Sequence, residues 1–366
     1  MIHMEKNQIL AIHGTDYTAM TQRILEASGL ETLVPDRHAR IGIKPNLVVA
    51  ATADNGAVTH PQIVEGVIRF LQSRNYDNFC VLEGSWVGDR TKLAYRVSGI
   101  GEVCEKYGVA YFDLQTDSSA PVEIRGFKTA ICDKARELDF LINLPVVKGH
   151  CQTVMTCALK NHKGLLPNTE KRRFHTLGLH KPIAHLAAAF PNELIVADNI
   201  CGDLDFEEGG NPVTVNRILC GRDPVLMDAF ACRTLGYDVA EVEYIAMAEA
   251  LGVGSADVDS AEVIKLNEDV CGELARPSRR VKNLTGYTTP KDACSACYGM
   301  LIHALDKLDQ RDELWGHKEK ICIGQGYRGQ SGSIGVGRCT GNCARSCGGC
   351  PPTAAEILKF LENNWR

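Results

Sequence analysis

The sequence predicts an α/β fold, a mostly parallel sheet flanked by helices, carrying a small cysteine-rich lobe at the C-terminal end. Three observations point there. Short apolar runs alternate with amphipathic helical patterns over the first two-thirds of the chain. Most of those runs are nearly continuous in apolar character, as strands buried on both faces are. Seven of the sixteen cysteines then fall between Cys294 and Cys350.

The strand-like runs are Gln8–Ile12, Arg40–Lys44, Phe79–Leu82, Val109–Leu114, Asp139–Leu144 and Leu194–Ala197. The clearest helix is His60–Ser73. Thr59 is placed to cap it, Pro61 suits its first turn, and Ile63, Val64, Val67, Ile68 and Leu71 share one face. A polar stretch with two prolines near Arg276–Pro290 marks a change of composition. Residues 1–285 read as a main body and 286–366 as a smaller lobe, built of a cysteine-led helix, a strand at Lys320–Ile323, a glycine-rich loop and a last helix.

Composition narrows the function. The chain has 366 residues and a formal net charge of −5, which gives no reason to expect nucleic acid or a membrane surface as partner. No apolar run reaches the ~18–20 residues of a membrane span, and Met1–Asp16 lacks the features of a signal peptide. The expected location is the cytoplasm, where clustered cysteines point to metal or thiol chemistry rather than disulfides.

Cys294 and Cys297 open an amphipathic helix and, three residues apart, share one side of a turn. Cys339, Cys343, Cys347 and Cys350 follow, the last before Pro351. Thr353 and Glu356 form a capping-box pattern just beyond, so the series ends at a helix N-terminus that favours thiolates and an anionic cluster. Seven glycines from Gly324 to Gly341 would let backbone approach a bulky inorganic core. These six cysteines are the expected cofactor-binding set for an oxygen-sensitive iron–sulfur cluster, most simply [4Fe–4S]. Four ligands complete one cubane. The other two are left as a redox dithiol, as ligands of a larger or second cluster, or as spectators. A zinc site hooked by Cys294 with Cys297 and Cys347 with Cys350 is the rival. Cys322, in an apolar run, reads as core.

The other dense region is Lys148–His185. Lys148, Lys160, Lys163, Lys171, Arg172, Arg173 and Lys181 stand there against one acid, Glu170, with five of the eleven histidines. Such a field suits a small anionic substrate or cofactor. Lys148, His150, Lys160 and Lys163 are the expected catalytic residues, positioning charge and supplying a proton beyond the carboxyl end of a strand. Cys151 and Cys157 with His150 and His162 match no standard metal spacing. The acidic loop Asp198, Asp203, Asp205, Glu207 and Glu208 suits a hard cation, neutralisation of the basic segment, or solvent. Glu83-Gly84-Ser85 is no nucleophile elbow, and neither a Walker loop nor a dinucleotide fingerprint is present.

At several of these residues the chain resembles the domain-of-unknown-function family 362, a group of presumed iron–sulfur proteins. The carriers are Lys44-Pro45-Asn46-Leu47-Val48, Thr59-His60-Pro61, Glu83-Gly84-Ser85-Trp86, Lys148-Gly149-His150-Cys151, Leu159 to Gly164, Asp205 to Pro212, and Asp223-Pro224-Val225 with Asp228. Cys294-Ser295-Ala296-Cys297 and Gly348-Gly349-Cys350-Pro351-Pro352 resemble the family's C-terminal cysteine motifs. The resemblance implies metal ligands at Cys294, Cys297, Cys339 and Cys350, with Cys343 and Cys347 as additions. The function expected is a low-potential oxidoreductase that takes electrons from a ferredoxin-like donor, with a homo-oligomer as one possible assembly. The alternatives are a cluster used as Lewis acid or in sulfur transfer, and a zinc-stapled binding protein without catalysis.

Overall fold

The computed structural model describes residues 4–209, 212–268 and 280–365. Gly210 and Asn211 of the Asp205–Pro212 motif, and part of the polar stretch beginning at Arg276, lie outside them. The chain forms two compact units. The first comprises Met1–Glu170 and His180–Arg276, the second Lys171–Leu179 and Pro277–Arg366.

The first unit is built on an eight-stranded sheet. Its strands are β1 (Gln8–His13), β2 (Ile41–Pro45), β3 (Phe79–Glu83), β4 (Tyr111–Asp113), β7 (Phe140–Leu144), β10 (Glu193–Asp203), β11 (Pro212–Gly221) and β12 (Glu262–Lys265). Two hairpins stand outside it, β5 (Ser119–Ile124) with β6 (Phe127–Cys132) and β8 (Lys148–His150) with β9 (Val154–Thr156). The order across the sheet is β12-β1-β11-β10-β7-β2-β3-β4. Every neighbouring pair is parallel except the two that β11 makes, with β1 and β10. The mostly parallel α/β architecture expected from the apolar runs is therefore present.

The reason lies in the central strands. All residues of β2, β7 and β10 are buried, so only continuous apolar runs with internally paired polar groups can occupy them. The helix Pro61–Ser73 packs on this core through the expected face, with Ile63, Val64, Val67, Ile68 and Leu71 fully buried. Its cap differs from expectation. His60 is the N-cap residue and makes no side-chain cap bond. Thr59 Oγ1 instead donates to Leu144 O (2.8 Å) and accepts from Asn46 N (2.7 Å), tying the end of β7 to the loop after β2.

The second unit holds a four-stranded parallel sheet, ordered β13 (Thr288–Pro290), β14 (Ile321–Ile323), β15 (Gly332–Val336) and β16 (Cys343–Cys347). The helices Ser295–Asp309 and Ala354–Asn364 belong to it, the second closed by the Thr353–Glu356 capping box. No helix among the described residues is long and apolar enough to cross a membrane.

Ile142 is fully buried in β7, between β2 and β10. We expect Ile142→Ala to lower the unfolding free energy by about 2–5 kcal/mol, measured by urea denaturation. A loss well under 1 kcal/mol would show that this strand is not the centre of the core.

Candidate functional site

In the first unit the polar groups gather where β2, β3 and β7 end and the β8–β9 hairpin begins. Lys44 leaves β2 fully buried and donates to Glu83 Oε2 (2.7 Å), Pro45 O (3.0 Å) and Asn161 Oδ1 (3.2 Å). Burial pushes its ammonium pKa down, against the pull of Glu83. Glu83 in turn accepts from the amides of Leu47 (3.2 Å) and Gly84 (2.7 Å). Gly164 presses on this pair. A Cβ there would fall 1.8 Å from Glu83 Oε1, so only glycine fits. Beside it a chain of bonds runs from Asn161 Nδ2 to Asn143 Oδ1 (2.8 Å) and from Asn143 Nδ2 to Glu193 Oε2 (3.1 Å), where His162 Nε2 also lies (3.0 Å).

Glu207 organises a second network. It approaches Lys160 closely, and His150 Nε2 lies 2.9 Å from its other oxygen. Lys148 donates to Glu207 O (2.8 Å) and Ala57 O (2.5 Å). Burial alone would raise the Glu207 carboxyl, but Lys160, His150 and Lys148 outweigh it and hold the group well below the usual carboxylate range. Burial lowers Lys148 to about 8, partly opposed by Glu207. Burial, then the charge of Lys160, lowers His150 to about 4. His150 Nδ1 accepts from the amides of Gln152 and Thr153, both at 3.0 Å, so the ring proton sits on Nε2, facing Glu207. Gly149 lets this happen, because a Cβ there would meet Leu204 O at 2.1 Å.

Of the four expected catalytic residues, Lys148, His150 and Lys160 thus come together, buried and neutralised from within. Lys163 is half-buried in the adjoining turn His162–Leu165 and contributes a charge felt at His150. Lys171, Arg172 and Arg173 belong to the second unit. The acidic loop is internal too. Asp198 accepts from His60 N and lies 2.8 Å from His60 Nδ1, and Asp203 accepts from the amides of Asp205 and Phe206 at 2.8 Å. Of the three roles left open for that loop, its geometry matches neutralisation of the basic residues, through Glu207.

In the second unit the cysteines sort themselves. Cys294 is the N-cap of the helix Ser295–Asp309 and Cys297 lies in its first turn. Cys339 sits in the short turn Arg338–Thr340, and Cys350 follows β16. The Cys297 thiol is pushed up to about 12, first by burial and then by Cys294, Cys350 and Cys339. Those four sulfurs therefore share one locality. The Arg328 guanidinium is raised above its ordinary value by Cys339 first, and by Cys294 and Cys350 as well. Gln325 Nε2 donates to Cys294 Sγ (3.5 Å) and to Arg172 O (3.0 Å). Sequence reasoning missed Arg328 and Gln325. The polar residues scattered through the glycine-rich loop were the available signal. Cys343 and Cys347 stand apart. Cys343 meets Cys322, and Cys347 feels Glu356. Cys322 is half-buried rather than a core residue, because its strand lies beside glycines that leave its side chain uncovered. Among the described residues, no three His, Cys, Asp or Glu side chains converge as one metal ion would require.

A family model described as a domain of unknown function (DUF362) matches residues 41–233, just over half of the 366 residues. The chain belongs to this family. The DUF362 match takes in Lys44, Glu83, Lys148, His150, Lys160 and Glu207, and its last residue precedes Cys294. A thylakoid-associated protein of Synechocystis sp., sll1697, is 26% identical over 236 residues, covering 58% of this chain and 68% of that protein. The lactate racemase apoprotein of Thermoanaerobacterium thermosaccharolyticum aligns at 12% identity with a TM-score of 0.41, covering 66% of this chain and 60% of its own length.

The buried network of this DUF362 protein makes stability depend on pH. His150 and Glu207 both bind protons more weakly folded than unfolded, since their folded pKa values are depressed. Their contribution is complete above the unfolded values and is lost as pH falls. For His150 the window runs from 6.5 to about 4. We expect the unfolding free energy to drop between pH 7 and pH 5 by about 1–2 kcal/mol through His150. The variant His150→Gln should flatten that slope in paired urea melts, and an unchanged slope would contradict the assignment.

Proposed function

We propose that this DUF362 protein is a low-potential iron–sulfur oxidoreductase whose second unit holds a [4Fe–4S] cluster on Cys294, Cys297, Cys339 and Cys350. The observation that carries the reading is the common locality of those four thiols. An all-sulfur donor set suits an iron–sulfur cluster or zinc. Two further features favour an anionic group there. Cys294 and Cys297 occupy the amino-terminal end of a fifteen-residue helix, where the backbone dipole stabilises thiolates. The Arg328 guanidinium adds a positive charge at Cys339.

When bound, the cluster supplies single-electron transfer, with a ferredoxin-like protein as donor and a small anionic substrate or cofactor as acceptor. The chain's own residues manage charge and protons. Gln325 holds Cys294 by a hydrogen bond, and Arg328 offsets negative charge at Cys339. In the first unit, Lys148 at about 8 releases or takes up a proton near neutral pH. His150 Nε2 lies 2.9 Å from Glu207. Lys160 and Lys163 fix the charge around them. Lys148, His150, Lys160 and Lys163 are proposed to position the anionic substrate and supply its proton.

A second reading keeps the cluster and drops the electron transfer. Cys350 is exposed. Of the four thiols it is the one a substrate could replace, leaving an iron open as Lewis acid or for sulfur transfer. A spectral change on adding substrate, without net electron uptake, would favour that reading.

The protein should be purified without oxygen and assayed for iron and acid-labile sulfide, with electron paramagnetic resonance after reduction. We expect brown protein with both components, and loss of more than about half the iron on serine substitution at Cys294, Cys297, Cys339 or Cys350. Serine at Cys347 should leave the iron in place. Colourless protein with stoichiometric zinc would overturn the proposal.

A further inference from the structure

Positive charge gathers in the second unit around the four proposed ligands. The whole chain carries a formal net charge of −5, yet residues 321–355 hold Arg328, Arg338 and Arg345 and no Asp or Glu. Lys171–Leu179, which belongs to the same unit, adds Lys171, Arg172 and Arg173, again with no acid. The two stretches meet where Gln325 Nε2 donates to Arg172 O (3.0 Å).

Hydrogen bonds fix these residues beside the thiols. Arg328 Nη2 donates to Gln325 Oε1 (3.4 Å), and the same amide donates through Nε2 to Cys294 Sγ (3.5 Å). Arg338 N donates to Gly349 O (2.7 Å), which sets the Cys339 turn against the residue before Cys350. A Cβ on Gly337 would stand 3.5 Å from Cys297 Sγ, so the residue before Arg338 lies against that thiol. Lys291 borders the same loop. Its O accepts from Gly326 N (3.0 Å) and its Nζ donates to Gln330 Oε1 (2.9 Å).

These cations face solvent. Arg328, Arg338 and Lys291 are exposed, and so is Cys350. Arg345 is taken up by Glu319 (2.5 Å). Among the described residues, neither Arg328 nor Arg338 forms an ion pair with a carboxylate. Asp292 stands at the edge of the loop, its Oδ2 3.1 Å from where a Cβ on Gly326 would lie, and the adjacent Lys291 offsets it. An exposed guanidinium without a carboxylate projects its field into solvent, where it speeds encounter with a negative surface and orients it. Single-stranded nucleic acid would seek the same charges but also needs exposed aromatic rings on which bases stack. Tyr327 and Phe174, the aromatic residues of these two stretches, are buried.

We propose that the face carrying Arg328, Arg338 and Lys291 around Cys350 is the docking surface for the electron-carrier protein, a partner whose own redox group sits in an acidic face. This inference rests on the cluster proposed above, because the cluster is what such a partner would reduce. One electron leaves the carrier and enters the cluster, with no bond made or broken.

An acidic ferredoxin is the probe. Its oxidised form is titrated into the full-length protein, purified without oxygen, by isothermal titration calorimetry. Its reduced form is mixed with the protein in a stopped-flow spectrometer. We expect the dissociation constant to rise at least about tenfold between about 0.05 M and about 0.5 M NaCl. Arg338→Glu should weaken binding and slow reduction by ferredoxin at least about tenfold, with iron, labile sulfide and the extent of reduction by dithionite unchanged. Lys307→Glu makes the same change of charge on an exposed lysine of the helix Ser295–Asp309, about 15 Å along its axis from Cys297. It should alter neither quantity more than about twofold. Four results would overturn the proposal: no binding, binding that neither salt nor Arg338→Glu weakens, Lys307→Glu as damaging as Arg338→Glu, or an oligothymidylate bound more tightly than ferredoxin. An iron-free chain that still binds ferredoxin with this dependence on salt and Arg338 would sink the cluster reading alone. An iron-loaded chain that binds none would sink the docking face alone.

Discussion

Four thiols in one locality cannot all ionise unless something positive shares their charge. Cys297 states the constraint most sharply. Buried, with Cys294, Cys339 and Cys350 around it, its thiol rises to about 12. Each neighbour that lost a proton would make the next loss harder. Nearby cations relieve only part of this. Arg328 offers one guanidinium, and the helix behind Cys294 and Cys297 offers a partial charge. A polynuclear iron core would supply the rest and draw the four protons off together. The four thiols come from a helix start, a tight turn and the segment after β16, elements far apart in sequence that a small parallel sheet brings together.

The first unit solves a related problem with protein groups alone. Lys148 and Lys160 are nearly excluded from solvent, with His150 neutral beside them at pH 7, and buried cations need partners. Glu207 is the common partner, supported by the carbonyl of Ala57. Lys44 and Glu83 repeat the arrangement a short way along the sheet, with Gly164 leaving room for it. Breaking either carboxylate would strand a buried charge. This explains why so many polar residues concentrate within the span matched by the family.

Much of this was legible in the sequence. The continuous apolar runs revealed β1, β2, β3, β7 and the start of β10, because strands buried on both faces have no polar side to disguise them. β11 was not found, since its burial alternates only in part and its pairing is antiparallel to both neighbours. The Thr353–Glu356 cap was readable because a capping box is local. The Thr59 cap was misread, because its hydroxyl answers to residues 13 and 85 positions away. The same limit applies to the sites. Spacing identified the cysteines as a group but could not divide them, since Cys322 meets Cys343 only through the stacking of β14, β15 and β16. It also marked Lys148–His185 as basic without showing that the Glu207 carboxylate, far along the chain, pairs with Lys160.

The most direct test of the central claim is native mass spectrometry of the intact chain, purified and sprayed without oxygen. The account expects a single adduct with the mass of four irons and four sulfides, lost when Cys339 is replaced by serine and kept when Cys347 is. A chain that flies at its bare mass, or with one zinc ion in place of the cluster, would contradict it.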